Sequence, residues 1–111
     1  MSVRPLKERR CEACDEKTPP IDGPTTALLL PEIPGFHLER GRLEKSYNFP
    51  DFVSALHFVN RVAAIAEEEG HHPDIHLAWG KVRLEIFTHA IGALSINDFI
   101  LAAKADAAYV G

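Results

Sequence analysis

The sequence predicts an α+β domain: a four-stranded antiparallel sheet with helices packed on one face, in the order αββαββα. Two pairs of short runs alternate apolar and polar residues, and each pair is joined at a glycine, Gly41 and Gly80. A long segment with apolar residues at helical spacing separates the two pairs, and a second one closes the chain. Alternation with period two marks strands solvated on one face, and the helical period marks the layer that covers the other face.

Each element has its own signals. Residues 1–24 are charged, contain Pro5, Pro19, Pro20 and Pro24, and offer few apolar anchors, so this segment is expected to be poorly structured. Residues 25–111 are expected to form a single domain. Thr25–Glu32 reads as a short helix opened by Thr25 or Thr26 and stopped at Pro34. Phe36–Arg40 and Leu43–Phe49 read as strands around the turn Arg40-Gly41-Arg42, with Leu43, Lys45, Tyr47 and Phe49 on one parity. Pro50-Asp51 opens the strongest helix, whose predicted apolar stripe is Phe52, Leu56, Val59, Val62, Ala63 and Ala66. Gly70 is its stop signal. Ile75, Leu77 and Trp79 alternate with Asp74, His76 and Ala78, and Val82, Leu84 and Ile86 alternate with Arg83, Glu85 and Phe87. Gly80 between them marks a hairpin. A last helix starts at Ser95 and carries Ile96, Phe99, Ile100, Ala103 and Ala107 on its apolar side.

Composition narrows the function classes. With 111 residues, 46% hydrophobic and 25% charged, the chain suits one globular domain. Its formal net charge is -4 and no Lys/Arg stripe interrupts it, which argues against a partner bound through nucleic-acid phosphates. No apolar run approaches the roughly 20 residues that span a bilayer. The N-terminus has no hydrophobic signal region. A cytoplasmic location is the expectation, with Cys11 and Cys14 reduced.

The candidate site lies in Glu67–Asp98, which holds four of the six histidines. Imidazole is the side chain whose ordinary titration falls near neutrality, so several gathered where elements end suggest proton transfer. His71 and His72 follow the long helix, and Pro73 ends any helical continuation. His89 ends the last predicted strand. An antiparallel hairpin from Asp74 to His89 brings its two ends together, which places His89 near His71 and His72. Glu67 stands one helical turn before His71 and is the best placed of the run Glu67-Glu68-Glu69; a solvated helix end is the competing reading of that run. Ser95 and Asp98 have the spacing of a capping box, and the same position puts Asp98 near His89. Adjacent histidines diverge, and Pro73 breaks the helix that would align His72 with His76, so a metal site is not expected there. Cys11 and Cys14 lack the second ligand pair of a closed zinc site. His37 and His57 read as surface histidines, and His76 as part of a polar strand face. Trp79 and Phe36 read as core or sheet-edge packing, with ligand stacking as the lesser alternative.

The run Phe58-Val59-Asn60-Arg61-Val62-Ala63, then Ala66-Glu67, then Gly70-His71-His72-Pro73-Asp74, resembles the pterin-4a-carbinolamine dehydratase family. Trp79, Lys81-Val82, Thr88-His89, Gly92, Leu94-Ser95 and Asp98-Phe99 continue the match, which covers about residues 26–106. Cys11 and Cys14 look like the N-terminal segment of bacterial members associated with phenylalanine hydroxylase. The chain departs from the family at Ala90, where an acid usually follows the second histidine, at Gly92-Ala93 in place of two glycines, and at Phe36 in place of a tryptophan.

The resemblance implies a hydro-lyase that removes water from a 4a-hydroxytetrahydropterin to give a quinonoid dihydropterin. That step recycles the cofactor of aromatic amino acid hydroxylation and needs no metal or redox cofactor. It implies acid–base work by His71, His72 and His89, with Glu67 and Asp98 orienting them or bonding the pterin, and contacts to the pterin ring from the backbone around Pro73 and around Thr88, His89, Ala90 and Ile91. It also implies a homodimer joined edge to edge, pairing further into a homotetramer. Two other functions stand beside this one. One is a non-enzymatic interaction protein on the same fold, with phenylalanine hydroxylase or another protein as partner. The other is a dehydratase for a different pterin, such as a molybdopterin-related one.

Overall fold

The computed structural model describes residues 5–12 and 15–109. Helix α1 spans Gly23–Leu29, followed by a 3₁₀ turn at Leu30–Glu32; strands β1 (His37–Glu39) and β2 (Arg42–Asn48) form a first hairpin. Helix α2 (Phe52–Glu69) leads to a second hairpin, β3 (Asp74–Ala78) and β4 (Lys81–Ile86), and helix α3 (Ile96–Ala108) closes the domain. The sheet is antiparallel throughout, in the order β1-β2-β4-β3, so the two hairpins meet through their inner strands. The α+β class and the element order agree with the sequence reading.

Register explains why one face is apolar. Leu43 pairs with Ile86, Lys45 with Leu84 and Tyr47 with Val82. All but Lys45 of these are buried, and they face α2 and α3. The opposite parity carries Arg42, Glu44, Asp74, His76, Arg83 and Glu85. Arg42 lies 3.0 Å from Glu85 and Arg83 lies 3.4 Å from Glu44, so the outer face is a lattice of alternating charge. At the far end of the core, Tyr47 packs on Phe58 and Tyr109, with ring centroids 4.6 and 5.0 Å away. Its hydroxyl donates to Asp106 at 2.5 Å. Burial, then this bond and the Asp106 charge, hold the Tyr47 hydroxyl well above the usual phenol range.

Several boundaries differ from those read in the sequence. α1 starts two residues earlier, because the Asp22 side chain rather than a threonine caps it, accepting from the Thr25 amide at 2.7 Å. The buried stripe of α2 is Ala55, Phe58, Val62 and Ala66. Phe52, Leu56 and Ala63, predicted to face inward, are exposed, because only about a third of the helix girdle meets the sheet and α3, and the small Ala55 takes the tight position. Trp79, expected in the core or at the sheet edge, stands 68% exposed at the tip of the second hairpin, while Phe36 is buried. That tip admits only glycine at Gly80, since a Cβ there would lie 2.9 Å from the Phe49 carbonyl oxygen.

The segment before residue 25 also carries structure. Leu6 is buried, and the chain runs from there along α3. The reason lies in α3, where Asn97 through Ala103 are all buried. A helix buried all round needs cover on both sides. The sheet and α2 supply one side and residues 5–12 the other. The segment is pinned at Glu69, whose side chain is only 2% exposed. Its Oε1 accepts from the Cys11 amide at 2.8 Å, while Arg10 and Lys104 approach Oε2 at 3.1 and 3.6 Å. Cys14 lies outside the described residues.

Two predictions concern stability. Gly70 ends α2 with φ 66°, and a Cβ there meets nothing, so only backbone strain opposes a side chain. Gly70→Ala is expected to lose about 1–2 kcal/mol in denaturant unfolding, and no loss would contradict the left-handed cap. Desolvation pushes the Glu69 carboxyl up, but the Cys11 amide and the Lys104 and Arg10 charges outweigh it and hold it below its ordinary value. A depressed carboxyl stabilises the fold above its unfolded pKa, about 4.3, and loses that contribution as pH falls through the lower folded value. The melting-temperature gap between wild type and Glu69→Gln should therefore be widest near neutrality and close in acid. A gap that widens on acidification would contradict the assignment.

Candidate active site

The site is built where α2 ends, β4 ends and α3 begins. α2 stops because Gly70 turns the chain left-handed, and the His71 amide then bonds back to the Ala66 carbonyl at 3.1 Å. That turn aims His71 inward. Its Nε2 lies 2.6 Å from Asp98 Oδ1, with the two side chains 6% and 0% exposed. Asp98 is the N3 residue of α3, and Ser95 is its cap, in a complete capping box. Asp98 Oδ2 accepts from the Ser95 amide at 2.8 Å and from the Thr88 hydroxyl at 2.9 Å. Thr88 and Ser95 hydroxyls lie 2.7 Å apart. Thr88 gives its one proton to Asp98, so Ser95 donates the proton of that bond.

A fully buried carboxylate is stable only when its oxygens are bonded. Asp98 is supplied by three donors from three elements. Its bond to Nε2 fixes a proton on that nitrogen and sets the plane of the His71 ring.

Around this buried couple lie the exposed candidates. His72 turns the other way and pairs with Glu67, both side chains open to solvent at 60% and 77% exposed. Glu67 therefore serves His72 rather than His71, which adjacent side chains on either side of the chain direction make natural. An open pair of this kind contributes little to stability, about 0–1 kcal/mol. Pro73 is half-buried and leads directly into β3.

His89 is not the end of a strand. β4 stops at Ile86, and His89-Ala90-Ile91 form a 3₁₀ turn closed by Gly92 in the left-handed region. The Thr88 side chain is drawn inward by Asp98 and Ser95, and its amide bridges to the Ala93 carbonyl at 3.0 Å, which pulls the chain out of the sheet. His89 is exposed, and its ring lies against Phe87 with centroids 4.0 Å apart. Phe87 carries the Arg42 guanidinium 4.3 Å from its ring centre. Ala90 is exposed and Ile91 half-buried on the same turn.

The hairpin thus delivers Thr88 directly to the His71–Asp98 couple and presents His89 on the turn that follows. Thr88, expected only as a backbone contact, is the residue that links Asp98 to β4. Ser95 and Glu69 are legible only in part, Ser95 as a cap and Glu69 as one of three similar acids, and no local signal marks Asn97.

Other features fit this chemistry less well. A groove of about 600 Å³ opens between α1, Leu38 and Gly92–Leu94, continuing from the His89 turn. Its lining carries no titratable side chain, so it cannot exchange protons itself. His37, Glu39 and Glu44 bring one ligating atom each within 4.8 Å of one another on the outer sheet face, but Glu44 is already paired with Arg83. His76 is engaged by Glu85 at 2.7 Å, as its place on the polar strand face suggests.

Comparison with known proteins sharpens the reading. The family model described as "Pterin 4 alpha carbinolamine dehydratase" matches residues 20–108. A Rickettsia canadensis protein, provisionally named as pterin-4-alpha-carbinolamine dehydratase, is 46% identical over 89% of this chain and 93% of its own length. A similarly named Rubrobacter xylanophilus protein is 41% identical, over 91% of this chain and 95% of its own length. The crystal structure of a transcriptional coactivator/pterin dehydratase from Brucella melitensis superimposes with a TM-score of 0.76 at 26% identity, covering 81% of this chain and 98% of that one.

The buried couple generates a prediction. Asp98→Asn keeps the shape but offers Thr88, Ser95 and His71 only one accepting oxygen in place of two. It is expected to lose about 2–4 kcal/mol in denaturant unfolding. Thr88→Val, which leaves the carboxylate with two donors, should lose less, about 1–2 kcal/mol. Equal stability of Asp98→Asn and wild type would contradict the network.

Proposed function

Because the chain belongs to the pterin 4 alpha carbinolamine dehydratase family, whose members are hydro-lyases, we propose that it eliminates water from a 4a-hydroxytetrahydropterin by histidine acid–base catalysis. The observation that carries the proposal is the His71–Asp98 couple, a buried imidazole held by a fully bonded carboxylate beside two exposed imidazoles.

The chemistry requires two proton transfers. The C4a–O bond breaks as the hydroxyl takes a proton and leaves as water. The N5–H bond gives its electron pair to the new C4a–N5 double bond and its proton to a base. The product is a quinonoid dihydropterin, with no net change in redox state beyond loss of water. His72 and His89 present imidazoles that a dissolved pterin can reach, and His71 is buried with its ring plane set by Asp98. Glu67 orients His72. Pro73 and the backbone of the His89 turn, through Ala90 and Ile91, offer edges for ring recognition. A main-chain contact at Ala90 does not need the acid that relatives usually carry there.

The proposal extends to biology and assembly. A hydroxylated tetrahydropterin is what an aromatic amino acid hydroxylase leaves behind, so the enzyme is placed in recycling that cofactor, with phenylalanine hydroxylase as its neighbour in metabolism. β1 and β3 are the outer strands of the sheet, and Leu77 and Trp79 on the β3 hairpin are exposed, which supports edge-to-edge homodimers and homotetramers. A second role in protein binding draws support from the Brucella neighbour's description as a coactivator.

Stopped-flow dehydration of a 4a-hydroxytetrahydropterin tests the reaction. His71→Ala and His89→Ala are each expected to lower kcat on the order of 10²- to 10⁴-fold, and a chelator to change nothing. Wild type no faster than buffer would end the enzyme reading. Both variants at wild-type rate would move the site elsewhere, and loss of rate on chelation would require a metal.

A further inference from the structure

We propose that the N-terminal segment Arg10–Glu12 is a positioning strap for the His71–Asp98 couple, acting through Glu69 and Asn97. The proposal rests on the dehydratase reading and adds residues outside the reacting groups.

The geometry is specific at both ends of the couple. On the α2 side, Glu69 is two residues before His71. It receives the Cys11 amide at 2.8 Å and the Arg10 side chain at 3.1 Å, and Arg10 also reaches the Glu68 carbonyl at 3.5 Å. On the α3 side, Asn97 is the residue immediately before Asp98. Its Oδ1 accepts from the Glu12 amide at 3.0 Å, and its Nδ2 donates to the Glu12 carbonyl at 2.7 Å. The Cys11 thiol lies 3.6 Å from the Asn97 carbonyl oxygen. Three consecutive strap residues thus grip the residues flanking His71 and Asp98, 58 and 85 positions later in the chain.

Physical reasons favour a positioning role. Glu69 and Asn97 are buried, where an unbonded carboxylate or amide is costly, and the strap supplies bonds to both, beside Lys104 at Glu69. The reciprocal Asn97–Glu12 pair fixes both distance and direction. A side chain that bonded the strap merely for stability would serve equally well elsewhere on α3. Here the grip falls on the one turn that aims Asp98. Displacing a catalytic group by about 1 Å costs up to 10²-fold in rate, so a clamp that spans both partners has a direct kinetic consequence.

The test uses the full chain with Glu69→Gln, Asn97→Ala and Arg10→Glu, the last altering a side chain that is 67% exposed, and circular dichroism selects the variants that are folded. Lys17→Ala, remote from the strap, is the control. Stopped-flow dehydration should show kcat lowered on the order of 10-fold in each strap variant with KM within about 2-fold, and no change in Lys17→Ala. Imidazole ¹⁵N spectra of the same proteins should show the His71 resonances displaced and those of His57 and His76 unmoved. A general loosening of the fold would move all three. If wild type is active and the folded strap variants keep its kcat, the strap proposal fails while the dehydratase reading stands. If KM rises with kcat unchanged, the segment contacts substrate and does not position the couple. An inactive wild type overturns the dehydratase reading instead.

Discussion

The structure depends on one buried carboxylate. Asp98 sits where three elements converge and has no access to solvent, so its oxygens must be bonded within the protein. His71 from the end of α2, Thr88 from beyond β4 and Ser95 from the cap of α3 meet that need. Their demands are geometric. α2 must end at Gly70, β4 must release the chain after Ile86, and α3 must start at Ser95. The same bonds fix the His71 ring against Asp98 and hold Thr88, the residue before His89, at the same carboxylate.

Much of this was written in the chain. Alternation fixed the sheet face, as Leu43, Tyr47, Val82, Leu84 and Ile86 show. Ser95 and Asp98 announced a capping box by spacing, and Gly70 announced the stop of α2. The residues that joined the elements were less visible. Alternation extended β4 toward His89, because nothing local says that Thr88 bonds inward and leaves the sheet. Helical spacing marked Phe52 and Leu56 as core, because amphipathic period gives the width of an apolar stripe but not which flank meets the neighbouring layer. The run Glu67-Glu68-Glu69 gave three equivalent acids, and only tertiary context separates the exposed partner of His72 from the buried anchor of Cys11.

The N-terminal segment carries a similar lesson. Its prolines and charges read as loop, and among its described residues before α1 the one regular piece is a 3₁₀ turn at Leu6–Glu8. Order there comes from the other side. α3 is apolar through Phe99-Ile100-Leu101-Ala102-Ala103, more than the sheet alone covers, and Leu6 supplies the missing cover. Burying one leucine contributes on the order of 1.5–3 kcal/mol. That contribution, with the bonds at Glu69 and Asn97, holds a segment whose composition alone would leave it unfolded.

Pterin binding at His71, His72 and His89 is the step on which the proposed function turns. Binding of a stable dihydropterin to uniformly labelled protein, followed by amide and imidazole NMR, tests it most directly. The account predicts that the largest shifts fall on His71, His72, Thr88, His89, Ala90 and Ile91 and that they vanish in Asp98→Asn. Shifts confined to the apolar groove of Leu30, Leu38 and Leu94, with the histidines silent, would contradict it.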